Sequence, residues 1–450
     1  MQIQIPENAR FILNTLHGAG YEAYVVGGCV RDALLQRTPD DWDITTNARP
    51  QEVKELFRHT VDTGLQHGTV TVMLDHEGYE VTTYRIDGKY EKHRRPTEVS
   101  FTADLKEDML RRDFTINAMA YNEEEGLVDY FHGQEDLRHG ILRCVGNAME
   151  RFDEDALRVL RALRFSAQLD FTIEEKTYQA MQQRAEFLRD VSAERIRVEL
   201  TKLLLSNHPE LLAEVGYPCG ITRVVLPAFD AMYETEQENP YHCYNVGMHC
   251  LKTVSCIEKT PLLRWTALLH DVGKTQTKTV DEKGIAHFYQ HGSVGAPMAV
   301  RIMRDLKFDN DTIGRLKELI YWHDYNWGNQ ITTKKVRRAA AKIGPDYMED
   351  LLRLQRADVM AQSGLLRQEK LSLLDEVEQC YEQIQKEGQC ITIKELAVDG
   401  RDLMGIGMKP GKELGAMLGW LLEQVIEQPE HNTREMLLKM AEEHKKQLVQ

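Results

Sequence analysis

The sequence predicts an α+β protein, with a small mixed-sheet head followed by an elongated all-α arm. Extended apolar segments are confined to roughly the first 145 residues, and from about residue 147 apolar side chains recur at helical spacing almost to the end. A histidine-rich stretch midway along the arm marks a distinct helical module.

Residues 7–19 read as a short helix. Tyr24-Val25-Val26 is a brief apolar strand running into Gly27-Gly28. Val70, Val72 and Leu74 alternate with Thr69, Thr71 and Met73, and Tyr79 to Tyr84 continues in extended style, as a hairpin or meander would. In the arm, Leu157, Leu160, Leu163 and Phe165 share a helical period, as do Ile196, Leu200, Leu203 and Leu204. Pro209, Gly216, Pro218 and Gly220 mark a break, Asn239-Pro240 starts a new unit, and Gly344-Pro345 interrupts the later helices. The expected division is 1–146, 147–215, 216–239, 240–365 and 366–450, with no internal repeat.

The chain has 450 residues, 42% of them hydrophobic, enough for several domains with real cores. No apolar run approaches the ~20 residues of a membrane span, and the first residues lack the plan of a signal peptide. Eight cysteines without a CxxC pair read as reduced thiols, so the expected compartment is the cytoplasm. A net charge of −15 argues against indiscriminate coating of nucleic acid. It leaves room for a local basic stripe, for which Arg94-Arg95, Arg111-Arg112, Arg158, Arg161 and Arg164 are candidates. Oligomeric state is not written in the pattern.

Gly27-Gly28-Cys29-Val30-Arg31-Asp32 is followed by Asp41-Trp42-Asp43. In an extended chain, residues i and i+2 face one side, so Asp41 and Asp43 would project together. Close carboxylates repel, and a divalent cation relieves that repulsion; Mg²⁺ suits a few carboxylates plus substrate phosphates. The glycines let the backbone approach a triphosphate closely. Read alone, Asp-x-Asp is more often a turn or a surface acid; a Gly-Gly a dozen residues upstream makes it more specific. Glu80 is the candidate third carboxylate.

Arg111-Arg112-Asp113-Phe114-Thr115-Ile116-Asn117-Ala118 and Glu154-Asp155-Ala156-Leu157-Arg158-Val159-Leu160-Arg161 follow in order. With these four motifs the chain resembles the bacterial-type, class II CCA-adding tRNA nucleotidyltransferases over about residues 20–205. The resemblance implies a nucleotidyltransferase head over 1–146, a nucleotide-selecting neck over 147–215, and addition or repair of the 3′-terminal CCA of tRNA from CTP and ATP. By it, Asp41 and Asp43 hold Mg²⁺ and, with Glu80, form the catalytic set. Gly27, Gly28, Arg31, Arg111, Arg112, Asp113, Asn117, Asp155, Arg158 and Arg161 bind nucleotide. Asp113 is the candidate acceptor for a sugar hydroxyl, and it also suits an N-cap.

On a continuous helix Asp155 and Arg158, at i and i+3, would share one face. Aspartate only accepts hydrogen bonds and arginine only donates them. Cytosine and adenine each present an amino donor beside a ring acceptor and match that pair; uracil and guanine present the reverse order. An ordinary salt bridge among Glu154, Asp155 and Arg158 is the plain alternative. Ser192 to Leu200 resembles the last family motif, which implies a segment that supports the nucleotide-binding helix, with Arg195 and Arg197 as candidate RNA contacts. In the loop Tyr90 to Pro96, Lys92 stands where the family often has an aspartate, which keeps partial CC- or A-adding activity open. Bacterial poly(A) polymerase, which shares the head motifs, is the rival, although its members tend to be basic.

Further on come His249, His270-Asp271, His287, His291, His323 and Asp358. Imidazole with carboxylate suits Mn²⁺, Fe²⁺, Ni²⁺, Co²⁺ or Zn²⁺. The module over 240–365 resembles HD-domain metal phosphohydrolases, which implies His249, His270, Asp271 and Asp358 as ligands and His291 and His323 as second-metal positions. Phosphohydrolase as the main activity is therefore the alternative function. Gly405 to Gly411 resembles a family tail segment, with Lys409 and Lys412 as candidate tRNA contacts.

Overall fold

The computed structural model describes residues 3–88, 90–91, 95–96, 99–241 and 243–448. The chain folds into two compact units, Met1–Asp230 with Asp305–Lys307, and Ala231–Arg304 with Phe308–Gln450. Lys92, His93, Arg94 and Glu98, in the loop with the missing aspartate, lie outside the described residues.

The first unit is built on a sheet of seven described strands. Their order is Gly126–Val128, Ala120–Asn122, Ala23–Val26, Ile44–Thr46, Glu77–Thr83, Thr69–Leu74 and Thr60–Gly64. Only the Ile44–Thr46 and Glu77–Thr83 strands pair in parallel. Ala23–Val26 and Ile44–Thr46 are buried along their whole length, as central strands covered on both faces are. The expected hairpin is present with Val70 opposite Val81 and Val72 opposite Tyr79. The helix Glu7–Gly18 buries Ala9, Ile12, Leu13 and Leu16, one stripe at i, i+3, i+4 and i+7.

Beyond the sheet the first unit is helical apart from short two-stranded pairs, with Ala148–Glu154, Leu157–Leu169 and Ala193–Leu204 carrying its main apolar faces. The second unit is helical apart from the short hairpin Lys278–Val280 and Ala286–Phe288. One of its cores gathers Val336, Ala340, Met348, Leu351, Val377 and Ile384, and another gathers Leu403, Leu421, Val425 and Leu437. Among the described residues no helix is long and apolar enough to cross a membrane.

Candidate functional site

Asp41 and Asp43 lie just ahead of the strand Ile44–Thr46, and Glu80 lies in the neighbouring strand. Ile44 pairs with Val81, so Asp43 and Glu80 each stand immediately before a paired residue. All three carboxylates are exposed. Asp43 is nonetheless flanked by enough protein that desolvation raises its pKa above the ordinary aspartate value; Arg112 opposes the rise, and Glu80 and Asp41 add to it. The three predicted acids are therefore close enough to repel one another, and the cluster calls for positive charge.

Gly27 borders this site in a backbone conformation with φ of 83°, which side chains disfavour. A Cβ there would lie 2.9 Å from Arg112 Nη1 and would push the end of that arginine aside. Gly28 opens the short helix Gly28–Leu34, which carries Arg31.

Arg31 donates through Nη1 to Asn117 Oδ1 at 2.7 Å and grips Asp32 through Nε and Nη2 at 2.9 and 2.7 Å. Asn117 Nδ2 donates to Asp113 Oδ1 at 3.0 Å, and Arg161 donates to Asp113 Oδ2 through Nε and Nη2 at 2.9 and 2.6 Å. Burial pushes the Asp113 carboxyl up, but the charge of Arg161, with hydrogen bonds from Asn117 and Arg161, holds it well below the usual carboxylate range. Asp113 caps no helix: it accepts from the Phe114 amide ahead of the single turn Thr115–Asn117.

Arg111 and Arg112 share a partner the sequence did not single out. Asp108 is fully buried, accepts from Arg111 Nε at 2.9 Å, and lies 3.7 Å from Arg112 Nη2. The signal was local, because Asp108 sits three and four residues before the two arginines on one helical turn. Among the described residues Arg112 Nε is buried without a hydrogen-bond partner. The expected basic stripe is largely neutralised from within. Arg158 pairs with Glu154, Arg161 with Asp113, and Arg164, 6% exposed, with Glu199.

The predicted continuous helix through Asp155 and Arg158 is not there. One helix ends at Glu154 and the next begins at Leu157, with Asp155 extended between them at φ −135° and ψ 103°. The aspartate breaks the run by accepting from the Leu157 amide at 3.1 Å, a local side-chain bond that competes with the helix. Its other oxygen accepts from Arg195 Nη2 at 2.8 Å, while Arg158 donates to Glu154 at 2.6 Å and to the Arg111 carbonyl at 2.7 Å. The two groups are neighbours in sequence but are each paired elsewhere.

A second cluster lies within the second unit. His249 is on the helix Val246–Cys256, His270 caps the end of Pro261–Leu269, and Asp358 is on Pro345–Ala361. His249 Nε2 is 2.9 Å from Asp358 Oδ1, and Asp271 Oδ2 is 3.5 Å from His249 Nε2 and 3.3 Å from His270 Nε2. Asp271 Oδ1 faces His291 Nε2 at 3.2 Å and His323 Nε2 at 3.5 Å. The Nδ1 atoms of His270, His291 and His323 lie 2.8, 2.8 and 2.7 Å from backbone carbonyls, which turns each Nε2 inward, as in rings that bind a metal. Burial opposes a charged imidazole at His270, yet Asp271 and Cys250 outweigh it and raise its pKa well above normal. The donor set and the demand for positive charge both fit a divalent cation. His287 is not part of this set: it pairs with Asp281 at 3.0 Å and stacks on Tyr289 in the exposed hairpin.

In the tail, Lys409 lines a cavity of about 730 Å³ with Met417, His444 and Lys445, and Lys412 begins the helix Lys412–Glu427.

Three family models match the chain. They are the poly A polymerase head domain over residues 23–143, the probable RNA and SrmB-binding site of polymerase A over 170–233, and a putative tRNA nucleotidyltransferase domain 2 over 276–441. The CCA-adding enzyme of Levilactobacillus brevis is 36% identical over 420 residues, 93% of each chain. That of Lactobacillus helveticus is 34% identical over 435 residues, 96% of each chain. Among solved structures, the Bacillus stearothermophilus CCA-adding enzyme in complex with CTP aligns with a TM-score of 0.72 and 27% identity over 99% of each chain. The Thermotoga maritima CCA-adding enzyme complexed with tRNA shares the fold, with a TM-score of 0.57 and 19% identity over 98% of this chain and 96% of that one.

Proposed function

The chain belongs to the family of CCA-adding enzymes, and from that premise we propose that it adds or restores the 3′-terminal CCA of tRNA from CTP and ATP. The observation that carries this is the meeting of Asp41, Asp43 and Glu80 at adjacent strands, beside Gly27 and the unfilled Nε of Arg112. Asp41 and Asp43 hold Mg²⁺, with Glu80 completing the acidic set. The chemistry that Mg²⁺ would supply there is a lower pKa for the RNA 3′-hydroxyl and charge stabilisation of the departing pyrophosphate. Gly27 and Gly28 bring backbone close to the triphosphate. Arg111 and Arg112, anchored on Asp108, supply positive charge beside it. Arg31, Asn117, Asp113 and Arg161 act as one hydrogen-bonded unit that shapes the sugar site.

Asp155 and Arg158 read the base, and both must let go of Arg195 and Glu154 to do so. On this proposal residues 1–146 are the catalytic head, 147–215 the selecting neck, 216–239 a connecting body, 240–365 a metal-binding module and 366–450 a tail that meets tRNA through Lys409 and Lys412. The test is incubation with Mg²⁺, single NTPs and a tRNA transcript lacking its last three nucleotides, followed by sequencing of the product. Completion of C-C-A and then a stop is expected. CC alone or A alone would make it a partial enzyme, and a long A tract a poly(A) polymerase.

Asp155→Ala should let UTP and GTP in, narrowing base discrimination about 10- to 100-fold, because a bidentate match is worth roughly 1–3 kcal/mol. Arg195→Ala should leave exclusion of UTP and GTP near that of wild type, because it removes only the group that Asp155 releases before it reads a base. Exclusion of UTP by Asp155→Ala as complete as that of wild type would remove the pair from base choice.

The cluster around Asp271 favours a second activity, an HD-type phosphohydrolase using Mn²⁺, Fe²⁺, Ni²⁺, Co²⁺ or Zn²⁺ at His249, His270, Asp271 and Asp358. Wild type loaded with each metal in turn should cleave p-nitrophenyl phosphate or its bis ester. Asp271→Asn should lose that cleavage and keep CCA addition. No cleavage with any of the five would sink the second activity.

A further inference from the structure

Phe165, on the helix Leu157–Leu169, is 5% exposed and stands where three of the sequence motifs meet. Three guanidinium groups lie over its ring. Their central carbons are 3.6 Å from the ring centroid for Arg164, 5.0 Å for Arg31 and 5.3 Å for Arg161. All three fall within the ~6 Å at which the electron-rich face of an aromatic ring attracts a cation. Phe114 meets the same ring edge-on, with centroids 5.7 Å apart and an interplanar angle of 80°.

The three arginines are not equivalent. Arg164 is buried and held by Glu199 Oε2 at 2.7 Å and by Gln168 Oε1 at 2.8 Å, so it and Phe114 fix the plane of the ring. Arg31 and Arg161 are the two ends of the unit that runs through Asn117 and Asp113. They reach it from different helices, and both are drawn to the same asparagine–aspartate pair, where two like charges repel. Each is gripped along one edge, Arg31 by Asp32 and Arg161 by Asp113, and could still pivot about that edge. The ring gives each a second point of contact. A carboxylate in its place would take up N–H groups and add a negative charge beside a site for anions. A phenyl face attracts the charge and takes no N–H group.

We propose that Phe165 is a positioning residue for the sugar site: its ring sets the guanidinium planes of Arg31 and Arg161, and through them the Asn117–Asp113 pair that favours a ribonucleotide. This rests on that unit being the sugar site, as proposed above. The test replaces Phe165 in the full chain by phenylalanines carrying one, two and three ring fluorines. These nearly keep the shape of the side chain while draining electron density from its face, so a role in packing alone would not respond to them. The readout is kcat and KM for CTP and for dCTP on a tRNA transcript lacking its last three nucleotides. KM for CTP should climb with each fluorine to about threefold at three, with kcat within about twofold and KM for dCTP nearly constant. Phe165→Leu, which has no face at all, should raise KM for CTP about tenfold. A KM for CTP indifferent to fluorination, or one that rises equally for dCTP, would overturn the role of Phe165 and leave the sugar site standing. A wild type that takes dCTP as readily as CTP, or adds neither, would overturn the sugar site and the inference with it. If Phe165→Leu does not fold, the fluorinated series decides alone.

Discussion

Asp43→Ala should lower kcat/KM for CTP addition by about a thousandfold or more, since a metal's share of transition-state stabilisation is several kcal/mol and each ~1.4 kcal/mol is tenfold. The fold should not suffer. Asp43 has its pKa raised by desolvation and by Glu80 and Asp41. A carboxyl raised on folding makes the native state less stable once pH passes that raised pKa, and removing it relieves the penalty. Asp43→Asn should therefore melt no lower than wild type at neutral pH without divalent ions. Mg²⁺ should raise the melting temperature of wild type and leave that of the variant unmoved. A variant that keeps near-normal CCA addition, or that melts far below wild type, would remove Asp43 from the catalytic set.

Asp113→Ala should have the largest effect on stability. The carboxylate is 8% exposed and holds Arg161, Asn117 and the Phe114 amide. Removing one partner of a buried pair strands the other. Because Arg161 keeps 33% of its side chain in solvent, the expected cost is about 2–4 kcal/mol rather than the full buried-pair value. That corresponds to a fall of roughly 5–10 °C for a unit of this size. The pH dependence follows from the depressed carboxyl. Its contribution is complete above the unfolded aspartate pKa and drains away as pH falls below it toward the native value. Thermal scans from pH 7 to pH 2 should therefore show wild type and Asp113→Ala converging in acid. Parallel curves would mean that the pair contributes nothing.

The sheet was legible because its signals are local. Alternation at Val70, Val72 and Leu74 specified the hairpin, and Gly27 takes a positive φ that side chains disfavour. The i, i+2 spacing suggested that Asp41 and Asp43 lie near one another, but nothing in the spacing showed that Glu80 would be beside them. That depended on the parallel pairing of Ile44 with Val81, a non-local contact. Periodicity misled at Asp155, where apolar spacing runs on at helical pitch while the aspartate's own bond to the Leu157 amide breaks the helix. It was also silent on partners. Asp108 and Glu199 look like ordinary surface charges in the sequence, yet Asp108 bonds Arg111 and Glu199 lies 3.9 Å from Arg161, both proposed to bind nucleotide. Histidine count alone placed His287 with the others, whereas the fold leaves it on the outside of a hairpin.

The interruption at Asp155 has a mechanical side. A single unbroken rod would carry two fingers at one set spacing and tilt. Here one finger, Asp155, sits in the joint itself and the other, Arg158, on the rod that follows, so no single rod sets their span; if they read the base as proposed, a bend at the joint would fit that span to a one-ring or a two-ring base. The counter-charges at Glu154 and Arg195 act as rests for the two fingers, so neither charge is left naked.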